Sequence, residues 1–137
     1  MLRGACRMLV LPAVLIAGTA AAAGPGPDQR ALLEHYRRLA GVESFSPERG
    51  RTFFLAKHQG GKPETPSCTT CHTDDPRGPG RTRAGKPIEP MALSVNPRRY
   101  TDPKKVEKWF RRNCRSVLGR ECTPREKGDF LAFMFSQ

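Results

Sequence analysis

Apolar residues along this chain fall in short clusters at helical spacing, separated by long polar stretches rich in glycine and proline. After an apolar run from Met8 to Ala17, the first cluster is Leu32, Leu33, Tyr36 and Leu39, within Asp28 to Ala40. Their spacing predicts a helix, with Gly41 as its stop. Ser46-Pro47 supplies a cap and a first-turn proline for a second helix carrying Phe53, Phe54 and His58. From Gly60 to Pro97 no period is sustained. Asp102-Pro103 opens the strongest pattern, with Val106, Trp109, Phe110, Asn113, Cys114 and Val117 in one stripe before Gly119. Thr123-Pro124-Arg125-Glu126 is a capping box opening a last helix through Phe130, Leu131, Met134 and Phe135. No alternating strand run competes with these helices, and no internal repeat appears. The pattern predicts a small all-α domain.

The N-terminus changes how much of the chain belongs to that domain. Arg3 and Arg7 precede the apolar run, and Ala21-Ala22-Ala23 follow it. This is the order of a secretory signal peptide over residues 1–23, with cleavage after Ala23. The run is too short for a comfortable membrane span. Cys6 leaves with the signal. The expected mature domain is 24–137, exported to the periplasm, soluble and without a transmembrane segment.

Export sharpens the reading of the aperiodic stretch. A structureless segment of that length is out of place in a compact domain unless it wraps something. Within it lies Cys68-Thr69-Thr70-Cys71-His72. This CxxCH pentapeptide is the signature of covalent c-type haem attachment. Two thiols at this spacing form thioethers to the haem vinyl groups, and the histidine is placed to ligate the iron. One covalent haem c per chain is expected, held by Cys68, Cys71 and His72. Two competing readings are weaker. A four-cysteine zinc site needs Cys114 and Cys122 as a second pair, and their spacing is wide for a zinc knuckle. A redox dithiol needs a βαβ setting that is absent. Cys114 and Cys122 remain, close in sequence in an oxidising compartment, and are expected to pair as a disulfide rather than stay as free thiols.

The small helical plan around CxxCH is similar to that of class I cytochromes c. In them a helix with a glycine and an aromatic precedes the motif, here Gly50 with Phe53 or Phe54. A final helix packs across it.

The sixth position of the iron decides the function. Met91, in Pro90-Met91-Ala92-Leu93, is one candidate donor, and His35 and His58 are others. Met134 falls on the apolar face of the last helix, where packing explains it. Asn113 stands between Phe110 and Val117 on its stripe. A buried amide there costs roughly 1–3 kcal/mol without a partner. A loop carbonyl, a propionate or iron can serve, and an open position is also possible.

Further stretches carry a family resemblance. They are Thr65-Pro66-Ser67 before the motif, then Lys86, Pro90, Pro97 and Tyr100-Thr101-Asp102. Val106-Glu107-Lys108-Trp109-Phe110-Arg111-Arg112-Asn113-Cys114, Gly119-Arg120-Glu121-Cys122-Thr123 and Glu126-Lys127-Gly128-Asp129 continue it. The chain resembles the sphaeroides haem protein family of c-type cytochromes over most of residues 24–137. The resemblance implies His72 as proximal ligand, Asn113 as distal ligand and a Cys114–Cys122 disulfide. It also implies binding of oxygen and other diatomic ligands after reduction. Met91 departs from the apolar, sulfur-free residue that members can have at its position.

Two functions follow from the two donors. An amide oxygen is a hard, weak ligand better matched to ferric than to ferrous iron, which gives a redox-gated site for oxygen, nitric oxide or carbon monoxide. A Met91 ligand gives a plain His–Met electron-transfer cytochrome. Haem-based oxygen or nitric oxide chemistry follows only in principle, and nothing in the sequence marks turnover. The chain carries 24 Lys+Arg against 13 Asp+Glu, a formal net charge of +11. Arg98, Arg99, Lys104, Lys105, Lys108, Arg111, Arg112 and Arg115 cluster around the Asn113 helix. For an exported protein this charge points to an acidic redox partner or a membrane-bound cytochrome, not to nucleic acid.

Overall fold

The computed structural model describes residues 24–137, so the signal-peptide expectation lies outside the described residues. The chain folds as α1 (Pro27–Ala40), α2 (Pro47–Leu55), α3 (Thr69–His72), β1 (Gly80–Arg81), β2 (Pro87–Ile88), α4 (Pro103–Leu118) and α5 (Pro124–Ser136). The all-α expectation holds, with one small addition. β1 and β2 form a two-residue antiparallel hairpin with Gly80 opposite Ile88. It is too short to leave an alternating pattern in the sequence.

The caps explain the boundaries. Ser46 accepts from the Arg49 N–H, Asp102 from that of Lys105 and Thr123 from that of Glu126. Glu126 returns a bond to the Thr123 N–H, completing the capping box. α4 ends at Gly119, whose φ of 72° is the left-handed conformation a helix stop favours. α2 stops at Leu55, so His58 lies beyond it.

The core is built where α5 crosses α2 and α1. Tyr36, Phe54, Leu131 and Met134 are fully buried there. Phe54 sits among Phe130 and Phe133, with ring centroids 6.1 and 5.8 Å away. The crossing is close enough that a Cβ on Gly50 would overlap the Asp129 carbonyl of α5. The glycine expected from the cytochrome plan is therefore the contact point of the two helices. One ion pair sets their register. Arg49 forks onto both oxygens of the buried Asp129, at 2.8 Å each, and Asp129 also accepts from the Ser46 N–H. Because Asp129 is buried and Arg49 is exposed at its outer end, removing the arginine strands a carboxylate with only one remaining donor.

α4 is attached differently. Phe110 packs edge-on against Tyr36 and Phe130. Beside them the Tyr36 hydroxyl donates to Glu107, and the Lys127 ammonium reaches both Glu107 oxygens at 3.1 and 2.9 Å. Burial alone would raise the Glu107 pKa, but the bonds from Tyr36 and Lys127 outweigh it and hold it below the usual carboxylate value.

Two outcomes follow. Gly50→Ala forces α2 and α5 apart and is expected to lower stability by about 1–3 kcal/mol, measured by urea unfolding. The stability that Glu107 contributes is fully present above its unfolded-state value of about 4.3 and is lost as pH falls through its lower folded value. The stability difference between wild type and Glu107→Gln is therefore expected to be constant from pH 7 to 5 and to shrink on further acidification. A constant difference down to pH 3 would contradict this.

Candidate haem site

The CxxCH residues form a single helical turn. Cys68 caps α3, and its carbonyl accepts from the N–H groups of Cys71 and His72 at 3.3 and 3.1 Å. Ser67 is buried, and its hydroxyl accepts from the Thr69 N–H. β1 lies directly against the turn. A Cβ on Gly80 would overlap the Cys71 carbonyl, so only glycine permits that approach. The hairpin thus backs the motif and fixes its orientation.

Cys68 and Cys71 are free thiols, both half-buried. Burial pushes the Cys68 thiol up to about 11, so it is protonated at neutral pH. His72 is also half-buried. Burial, followed by the nearby Arg99 guanidinium, lowers it to about 4. Its imidazole is therefore neutral across the physiological range, the form that ligates metals. Its Nδ1 is buried without a hydrogen-bond partner.

A cavity of about 680 Å³ opens beside the motif. Of the motif, Cys71 lines one side, while Cys68 and His72 do not line it. Lys108, Arg111, Arg112, Asn113, Arg115 and Ser116 of α4 line another, with Lys62 and Thr65 closing a third. The volume lies within the range of cofactor sites. Lys62 and Thr65 also attach the loop before the motif to the end of α4. The Lys62 N–H and the Thr65 hydroxyl both donate to the Ser116 carbonyl, at 2.7 and 3.1 Å. Cys114 and Cys122 are bonded to each other with Cα atoms 5.6 Å apart, tying the last turns of α4 to the entry of α5. The two cysteines that the sequence leaves over thus lie side by side. Their bond also takes both sulfurs from any zinc site. Among the described residues no group of three or more His, Cys, Asp or Glu side chains is placed to hold a metal ion.

Asn113 differs from expectation in one respect. It is not a buried amide within the core stripe but an exposed one facing the cavity. The core side of α4 is centred on Val106, Phe110, Cys114 and Val117, and this leaves Trp109 and Asn113 on its edge. Trp109 is 45% exposed there, with the Arg112 guanidinium 5.5 Å from its ring. The amide is therefore available to a ligand in the cavity instead of being committed to the protein interior.

The other candidate donors are placed elsewhere. Met91 is buried in the hydrophobic core and does not line the cavity. Its N–H donates to the Pro76 carbonyl at 2.8 Å, and its carbonyl accepts from Tyr100 at 2.9 Å. Arg99 holds the same loop by donating to the carbonyls of Glu89 and Pro90, at 2.6 Å each. Arg99 thus acts as a strut rather than as part of a docking surface. The His58 ring is paired with the Phe53 carbonyl at 2.9 Å, and His35 lies exposed on α1. Neither lines the cavity.

The donor set suits haem. Two free thiols precede a neutral histidine with a partnerless ring nitrogen, and the cavity rim is basic enough to receive two propionates. Lys62, Arg83, Lys108, Arg111 and Arg112 supply most of that charge. Arg83 is paired with Glu64, and Arg115 with Glu121.

Comparison with known proteins agrees. Residues 40–134 match a family described as a domain of unknown function, DUF1924. Cytochrome c-type protein SHP of Cereibacter sphaeroides is 52% identical over 131 residues, covering 96% of this chain and 98% of that protein. The structure of oxidized SHP, an oxygen-binding cytochrome c, superposes with a TM-score of 0.77 at 49% identity, over 84% of this chain and all of the other. Cytochrome c'' of Methylophilus methylotrophus is 37% identical over 64% of this chain and 62% of its own length. Its solution structure, described as bearing on haem-ligand detachment, gives a TM-score of 0.69 at 33% identity, over 80% of this chain and 94% of that one.

A peptide map of unreduced protein is expected to recover Cys114 and Cys122 in one linked fragment. Two alkylatable thiols at those positions would contradict the bond. Replacing both by alanine is expected to cost about 2–3 kcal/mol, as for other short disulfide loops.

Proposed function

The chain belongs to the sphaeroides haem protein family of c-type cytochromes, and on that basis we propose that it is a periplasmic monohaem cytochrome whose distal face opens to diatomic ligands on reduction. The observation that carries this reading is the single cavity shared by Cys71 and Asn113, with Met91 away from it. Haem bound there supplies one-electron redox chemistry and, when ferrous, a site for oxygen, nitric oxide or carbon monoxide.

The residues divide the work. Cys68 and Cys71 would tether the macrocycle through thioethers, and His72 would offer a ring nitrogen to the iron. Basic side chains at the rim receive the propionates. Asn113 offers its amide oxygen from the α4 wall of the cavity. That oxygen is a neutral, hard and weak donor, so it holds a ferric centre better than a ferrous one. With haem held there, reduction would weaken that bond and leave the Asn113 side available to a diatomic ligand. Against a Met91 donor stands the anchoring of its backbone at both ends, to Pro76 and Tyr100. A thioether would in any case hold ferrous iron and keep the site closed.

The exposed cations of α4, Lys104, Lys105, Lys108, Arg111 and Arg112, suit an acidic electron-transfer partner. Among the described residues no helix is long and apolar enough to cross a membrane.

Optical spectra test the proposal. Acidified acetone is expected to leave the haem on the protein. The ferric protein should be six-coordinate, and the ferrous protein five-coordinate, high-spin and quick to bind carbon monoxide. Asn113→Ala should open the ferric site to water or azide, while Met91→Leu should leave both spectra nearly unchanged. A low-spin ferrous spectrum that resists carbon monoxide, and that Met91→Leu alone abolishes, would replace the gated site with a His–Met electron carrier.

A further inference from the structure

We propose that Glu107 is a positioning residue that sets how firmly α4 holds Asn113 toward the cavity. The inference rests on Asn113 being the distal donor.

The close helix packing of this fold is α2 on α5 and α1 on α5. α4 stands apart from that stack and is joined to it largely by side chains. Two attachments secure its C-terminal half. One is the Cys114–Cys122 bond, and the other is the pair of donors from Lys62 and Thr65 on Ser116. The N-terminal half has Val106 and Phe110 in the core and one polar anchor, Glu107. Asn113 lies between Glu107 and these C-terminal attachments, six residues from Glu107, or about 9 Å along the axis.

Glu107 is the only acid of α4, and its partners come from outside that helix. The fully buried Tyr36 of α1 donates its hydroxyl to the carboxylate. Lys127 of α5 reaches both oxygens, and its ammonium also lies 5.6 Å from the Tyr36 ring centroid and 5.8 Å from that of Phe110. Three helices therefore converge on one carboxylate. The C-terminal attachment is covalent and does not yield. Withdrawal of Asn113, one residue before that anchor, then takes a turn of the preceding part of α4 about its own axis, and the Glu107 clamp resists that turn. The strength of this polar clamp then governs how readily Asn113 lets go.

Azide binding to the ferric, haem-loaded protein reads this out, because azide enters only when Asn113 withdraws. Glu107→Gln keeps the shape but loses the charge that holds Lys127. It is expected to speed azide association by about fivefold or more, a change typical of coupling between sites. Amide hydrogen exchange should rise in α4 around residues 106–113 and stay unchanged in α2. Tyr36→Phe should shift both readouts in the same direction by less, and it decides the matter if Glu107→Gln does not fold. Asp129→Asn, which weakens the Arg49 clamp between α2 and α5, should lower stability and leave the azide rate unchanged. If azide rates follow stability across all three variants, Glu107 is structural only and the proposal falls. If Glu107→Gln and Tyr36→Phe match wild type while Asn113→Ala is fast, the clamp falls and the distal role stands. If Asn113→Ala also matches wild type, the distal role falls, and the clamp with it.

Discussion

The covalent tie between Cys114 and Cys122 is the constraint on which the site depends. It fixes the last turns of α4, one residue after Asn113, to the start of α5. α5 in turn crosses α2 and carries much of the buried core. The α4 wall of the cavity is thereby tied to the buried core of the molecule. The loop from Lys62 to Thr65, bonded to Ser116, extends that tie to the chain entering the CxxCH turn. His72 and Asn113 are thus held to one frame although 41 positions separate them (113 − 72).

This arrangement suits a domain of its size. Helix packing between α1, α2 and α5 provides a core on one side, and the cavity lies on the other, between α3 and α4. Loops there are backed by specific polar contacts. Gln29, buried on α1, donates to the carbonyls of Pro97 and Arg99, at 2.8 and 2.7 Å. Arg99 then braces the Pro90–Met91 loop. A long aperiodic segment gains order through such contacts because a buried backbone carbonyl without a donor is costly.

Much of this was legible in the sequence, for identifiable reasons. Helices announced themselves because caps at Ser46, Asp102 and Thr123 and stops at Gly41 and Gly119 are local signals. The CxxCH turn and the Cys114–Cys122 pair are short-range in sequence as well. The exposure of Asn113 was not legible. A stripe along a helix gives the direction of the core only to within a residue's width, and Asn113 falls at its margin. The Tyr36–Glu107–Lys127 cluster and the Arg49–Asp129 pair were also hidden, since each joins residues more than 19 positions apart. Glu107 reads as an ordinary surface acid in a basic helix until α1 and α5 are seen to meet it. The role of Arg99 was missed for a related reason: its partners are main-chain carbonyls, which carry no residue-specific signal.

The central claim is that Asn113 closes the distal side in one oxidation state and leaves it in the other. Crystal structures of the haem-loaded protein before and after reduction with dithionite test it directly. The account predicts the Asn113 amide oxygen bonded to iron in the ferric crystal and withdrawn in the ferrous one, with His72 ligating in both and Met91 still packed in the core. Iron bonded to the Met91 sulfur, or an Asn113 amide bonded equally in both states, would contradict it.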